Sequence, residues 1–127
     1  RIVAVIDWEM ATIGDPLCDL GLLLVYWADN EEDAAARTLH GRAITVEDGF
    51  LHRDEMLARY AASTSRDLSA LAWYVALGAY KLAIIAEGIH ARFLMGMTVG
   101  DGFDDIGRMV PPIVDGALDT LQHLAAT

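Results

Sequence analysis

Residues 67–95 constrain this chain more than any other stretch, because apolar side chains recur there at helical spacing for far longer than a strand can run. Leu68, Leu71, Val75, Leu82, Ile85, Ile89 and Phe93 form one stripe, while Trp73, Leu77, Tyr80 and Ile84 populate another. The spacing predicts a helix over 67–95, capped by Asp67 or Ser65 and covered on two sides. Residues 68–86 are long enough to raise a membrane-spanning reading. Lys81 argues against it, since a lysine near the centre of a spanning helix costs about 2.5–3.5 kcal/mol, and the rest is rich in Ala and Gly rather than Leu and Ile. The expectation is a helix buried inside a soluble domain, with no membrane partner.

The remaining pattern adds one strand and three shorter helices. Ile2-Val3-Ala4-Val5-Ile6 is a continuous apolar, largely β-branched run that ends in charge, which predicts a buried strand. Asp15-Pro16 then starts a helix, with Asp15 as its N-cap and Pro16 in the first turn, where a missing N–H is harmless. Leu17, Leu20, Leu24 and Trp27 fall on one face of it. The acidic run from Asp29 to Asp33 opens a polar stretch reaching about Asp48. Met56, Leu57 and Tyr60 give residues 53–62 an amphipathic helical pattern. Residues 96–109, rich in Gly and Asp, predict a loop, and Pro111-Pro112 a last helix with Ile113, Ala117, Leu121 and Leu124 on its inner face. The fold class expected is mainly α with one N-terminal β-strand, all within a single domain of 127 residues.

Charge and cysteine content narrow the partners. A net charge of -10, with Lys81 as the single lysine and the arginines scattered, offers no footprint for nucleic acid and no polybasic segment for an anionic membrane. Cys18 is alone, so no intrachain disulfide forms, and the start of the chain shows no signal-peptide pattern; both point to a reducing cytoplasm. An apolar content of 54% excludes a disordered chain and implies either a large core or uncovered apolar surface.

The chemistry concentrates in Val5-Ile6-Asp7-Trp8-Glu9-Met10-Ala11-Thr12-Ile13-Gly14-Asp15-Pro16-Leu17-Cys18-Asp19-Leu20-Gly21. A carboxylate directly after a strand projects from the strand end, where its hard oxygens suit a divalent cation; the same residue also serves as a turn former or cap. On position alone, both readings of Asp7 stand. The whole string, Ile-Asp-Trp-Glu followed by Gly-Asp-Pro and Asp-Leu, resembles the signature of aminoglycoside phosphotransferases and related small-molecule kinases. It is most similar to the phosphotransferase domains associated with acyl-CoA dehydrogenases, and the region of Tyr74, Lys81 and Arg92 is similar too.

That resemblance implies the helical C-terminal subdomain of a protein-kinase-like fold and an activity that moves the γ-phosphoryl group of ATP, with Mg²⁺, to a hydroxyl of a small molecule. It makes Asp7 the counterpart of the metal-binding Asp in the kinase Asp-Phe-Gly motif. Glu9 then either assists the metal through water or faces the substrate, against the alternative of a solvated carboxylate. Asp15 supports the site as an N-cap, and Asp19, well placed toward the helix dipole, braces the catalytic loop from behind.

A kinase also needs a nucleotide lobe with a phosphate-pairing Lys, and a catalytic loop with a base Asp and a metal-binding Asn, ahead of the metal Asp. None of these precedes Asp7, so residues 1–127 are expected to be the C-terminal portion of a phosphotransferase C-lobe, holding no catalytic residue of their own and inactive in isolation. His52-Arg53-Asp54 spells the catalytic-loop tripeptide, but Arg59 stands where the Asn belongs and the order is wrong; Arg53-Asp54-Glu55 reads as an exposed helix start. Residues 100–105 fail the calcium-loop pattern, the glycines there miss the dinucleotide fingerprint, and His40, His52, His90 and His123 lack paired metal spacing. Trp73, Tyr74 and Tyr80 fit a core better than a substrate cage.

Two other functions compete: a stand-alone helical binding or oligomerisation module, in which Asp7 and Asp15 are turn and cap residues, and a metal-dependent hydrolase with only Asp7 and Glu9 to offer. The acceptor stays open. The acidic chain favours a cation, whereas the dehydrogenase-associated branch implies a hydroxyacyl group. An unpaired 2–6 strand and surplus apolar helix faces predict a homodimer for the isolated chain.

Overall fold

The computed structural model describes residues 2–29 and 44–125. Among the described residues, four α-helices carry the fold: α1 (Leu17–Tyr26), α2 (Arg53–Thr64), α3 (Leu71–Leu94) and α4 (Ile106–Ala125), with 3₁₀ turns at Trp8–Met10 and Ile44–Val46. The long helix α3 is central and packs along both α1 and α4. Most of the acidic run after Asp29, along with Asn30 and His40, lies outside the described residues.

Helix α3 buries small residues rather than its largest ones. Ala76, Ala79, Ala83 and Ala86 recur every three or four positions and line the contact with Leu82, which is only 2% exposed. Ala76, Ala79, Leu82 and Ala83 form one cluster with Ile113 and Ala117 of α4 and Val25 of α1. Small side chains let helix backbones approach, and two glycines take this to its limit. A Cβ on Gly21 of α1 would lie 2.9 Å from the Cβ of Tyr74 and closer still to its backbone carbonyl, and one on Gly78 would lie 3.0 Å from Leu22 Cα. The price of that closeness is that Trp73, Tyr80, Ile84 and Ile85 of the same helix remain more than half exposed. A second cluster joins Leu17, Leu20 and Leu24 of α1 to Leu71, with Met56, Leu57 and Tyr60 of α2 packed against it.

The expected strand is absent: residues 2–6 form no regular secondary structure, and no strand occurs among the described residues. Ile2 is 85%, Val3 91% and Ile6 82% exposed, so the run is not buried either. A strand is defined by its ladder, and β-branched propensity cannot supply the missing partner.

Two helix starts also differ from their sequence signals. Helix α3 begins at Leu71, because Asp67 spends both carboxylate oxygens on Ser69, accepting from its N–H and its hydroxyl at 2.9 Å each, and so closes a turn instead of capping the helix. Helix α4 begins at Ile106 and runs through Pro111 and Pro112. Met109 and Val110 pack on the same cluster as Ile113, so the apolar stripe continues across the prolines and tertiary contact overrides the backbone bonds they forfeit.

Helix α2 starts at Arg53, with Asp54 and Glu55 exposed, but Arg53 itself is half-buried. Its guanidinium donates to the carbonyls of Leu24, at 3.4 Å, and of Trp27. The Arg53 N–H donates to Asp29 Oδ1 at 2.7 Å. An arginine on the last carbonyls of α1 and a carboxylate on the first amide of α2 complement both helix ends, which fixes the two helices to each other.

Candidate functional site

The carboxylates singled out by the sequence lie along one exposed segment, residues 7–15, and in the first turn of α1. Asp7 has φ 65° and ψ 52°, the left-handed region that few residues other than glycine adopt. It opens the 3₁₀ turn, where Ala11 N–H donates to Trp8 O at 3.0 Å and the Trp8 indole N–H donates to Val5 O at 2.9 Å. The Asp7 and Glu9 carboxylates are exposed, and no described hydrogen bond or ion pair occupies either.

Asp15 is the structured member of the group. Its Oδ1 accepts the Leu17 N–H at 2.9 Å, in the manner of an N-cap, with Pro16 already in helical conformation (φ −59°, ψ −19°). Its Oδ2 accepts the Tyr74 hydroxyl at 2.7 Å across 59 residues of sequence. The Leu17 amide first, then the Tyr74 hydroxyl and the positive charge of Arg66, hold the Asp15 carboxyl below its usual range. The same bond, with some burial, pushes the Tyr74 phenol up. Asp19 is exposed in the first turn of α1, where a negative charge faces the helix dipole favourably.

Tyr74 is the residue that sequence spacing misses. Its ring packs partly on the leucine cluster and meets Trp73 edge-on, with centroids 5.0 Å apart and planes at 86°. Trp73 and Tyr80 belong neither to the core nor to an enclosed cage; they line an open apolar groove of about 240 Å³ between α3 and α4. His52, Arg53 and Asp54 sit at the start of α2, where Arg53 is engaged with the end of α1.

Among the described residues, no three of His, Cys, Asp and Glu gather as a metal cage. Mg²⁺ does not demand one: it keeps several waters and takes one or two carboxylates together with substrate phosphates. An exposed carboxylate at Asp7, followed two residues later by Glu9, fits that role and does not fit a self-sufficient metal site.

Comparison with known proteins gives the same direction. Acyl-CoA dehydrogenase family member 11 is 31% identical in Mus musculus and 30% in Rattus norvegicus, each over 135 residues that include all of this chain and 16% of the relative. The Arabidopsis thaliana protein named "Probable acyl-CoA dehydrogenase IBR3" is 28% identical over 122 residues, covering 93% of this chain and 15% of that protein. The chain therefore spans about one sixth of the length of these curated relatives. No solved structure matches it. The model of the phosphotransferase enzyme family matches residues 1–74, which hold Asp7, Glu9, Asp15, Asp19 and Tyr74, and the chain belongs to that family.

Proposed function

We propose that this chain forms part of the C-lobe of an ATP- and Mg²⁺-dependent phosphotransferase that moves the γ-phosphoryl group to a hydroxyl of a small molecule. The observation that carries the reading is Asp7: a non-glycine residue in left-handed backbone, its carboxylate unengaged, within the matched family region. Left-handed backbone in a non-glycine residue is uncommon, although Asp tolerates it better than most, and here it accompanies an exposed carboxylate. In transfer, the bond from the γ-phosphorus to the ADP oxygen breaks, the acceptor oxygen bonds to phosphorus, and the hydroxyl proton goes to a catalytic-loop Asp supplied by another part of the parent chain. Bound Mg²⁺ supplies charge neutralisation between the phosphates. Asp7 holds that charge in place, Glu9 stands by it or faces the acceptor, and Asp15 and Asp19 fix the start of α1 behind them. Cytoplasm suits the half-buried, unpaired Cys18.

The test is Asp7→Asn in the full-length parent, assayed for ATP-dependent phosphorylation of hydroxylated amines, sugars and hydroxyacyl compounds. Turnover is expected to vanish while the melting temperature stays unchanged. Retention of more than about a tenth of wild-type turnover contradicts metal binding by Asp7, since such a ligand is worth far more.

A second reading, assembly, draws on the apolar surface. Residues 2–6 and the groove lined by Trp73, Leu77, Tyr80, Val114, Leu118 and Leu121 offer two apolar patches, so the isolated chain would form a homodimer through the edge of 2–6 or through the helices. Sedimentation at micromolar concentration decides it; a clean monomer removes this reading.

A further inference from the structure

We propose that Tyr74 is a positioning residue for Asp7, acting through Asp15: the phenol fixes the exit of the 7–14 segment onto α3, so that the Asp7 carboxylate meets metal in one arrangement. The inference rests on the phosphotransfer reading above.

The geometry leads to it in three steps. First, the segment has little hold of its own. Its described hydrogen bonds before Asp15, Trp8 Nε1 to Val5 O and Ala11 N to Trp8 O, are local, and residues 7–9 and 11–13 carry exposed side chains, Ile13 fully so. Second, Asp15 is where the segment meets the fold. One oxygen is committed to the α1 amide of Leu17 and the other to Tyr74, so a single carboxylate ties the segment to two helices at once. Third, Tyr74 is a rigid partner. Its backbone carbonyl lies against Gly21, where only a glycine leaves room, and its ring is held between the leucine cluster and the edge of Trp73. A tether is useful for positioning only when its anchor does not move. An N-cap alone needs one oxygen, so the bond to Tyr74 is surplus to helix capping and calls for its own account.

A merely structural bond and a positioning bond separate in metal dependence. The protein to use is the full-length parent, and the probe is MgATP with water as acceptor, read as ADP release across a Mg²⁺ titration. Tyr74→Phe is expected to raise the Mg²⁺ concentration at half-activation about three- to tenfold, the range for losing one hydrogen bond, with the plateau rate largely kept. Asp15→Asn, whose amide can accept from Leu17 and donate to the phenol oxygen, should rescue the tether and stay near the wild-type midpoint. In an Asp15→Ala background, Tyr74→Phe should shift nothing further. An unchanged midpoint in Tyr74→Phe, or a fall in plateau and melting temperature without a midpoint shift, overturns the inference while Asp7→Asn stays inactive. Turnover that survives Asp7→Asn overturns the phosphotransfer reading and this inference with it.

Discussion

Residues 2–6 and residues 76–86 are both apolar runs, and the fold treats them in opposite ways. The first is β-branched and bulky, yet its isoleucines stand more than four-fifths exposed. The second leans on Ala76, Ala79, Ala83 and Ala86, side chains with little surface to bury, and they lie at the centre of the protein. The difference lies in who supplies the partner. A helix satisfies its own backbone and needs only a complementary face, which α1 and α4 provide to α3. An extended segment needs a neighbour's backbone before its side chains count for anything. The carboxylates of the proposed site, Asp7 and Glu9, follow directly on this exposed run.

The largest effect that could break this contrast is on turnover. If function is confined to the exposed segment, Asp7→Asn abolishes phosphoryl transfer in the full-length parent and leaves the thermal midpoint alone; loss of both together would mean that Asp7 also holds the fold. Next in size is a matched pair of truncations. Leu82→Ala removes a side chain 2% exposed and should cost about 2–5 kcal/mol, read from urea unfolding of the chain. Ile6→Ala removes a comparable volume from a side chain 82% exposed and should stay within about 0.5 kcal/mol. Equal costs for the two would show that residues 2–6 are packed in solution.

A smaller change sharpens the comparison within the core. Gly21→Ala places a methyl against the backbone of Tyr74, which cannot yield as a flexible side chain would, so about 1–3 kcal/mol of overpacking is expected despite the better helix propensity of alanine. Gly116, with open space around it on α4, is the control, and Gly116→Ala should be neutral or stabilising. If both substitutions stabilise, the close α1–α3 approach is not what the helices adopt.

The sequence carried the family and the helical character, and it carried them in different ways. Residues 7–20 are legible because spaced, chemically distinct side chains match a motif, and α1, α2 and α3 are legible because apolar side chains recur at helical spacing, Met56, Leu57 and Tyr60 in the case of α2. Periodicity weights large apolar side chains, however, and so it placed Ile85 on the same inner stripe as Leu82, when alanines take the contact and Ile85 is half exposed. Proline statistics placed the start of α4 at Pro111, and packing of Met109 and Val110 moved it back to Ile106. The bond from Tyr74 to Asp15 spans 59 residues, and nothing local in either stretch announces it. Asp15 could be read as a cap, but its second oxygen could not.

The smallest expected effect concerns that bond and its response to pH. Asp15 has a folded pKa below its ordinary value of 3.8, so its contribution to stability is complete above that pH and is lost as pH falls through the depressed folded value. Tyr74 has a folded pKa above its ordinary 10.0, so its contribution is complete below pH 10 and is lost as pH rises through the elevated value. The bond is therefore at full strength between these limits and weakens beyond each. Unfolding midpoints of wild type and Tyr74→Phe should differ at pH 7 and draw together as the pH is lowered below 3.8, because protonated Asp15 has less to gain from the phenol. Asp67, whose carboxyl is also held low by the Ser69 amide and hydroxyl, loses its contribution over the same acid range in both proteins and cancels from the difference. Two curves that run parallel from pH 7 to pH 3 would mean that the bond of the Tyr74 hydroxyl to Asp15 does not draw on the Asp15 charge.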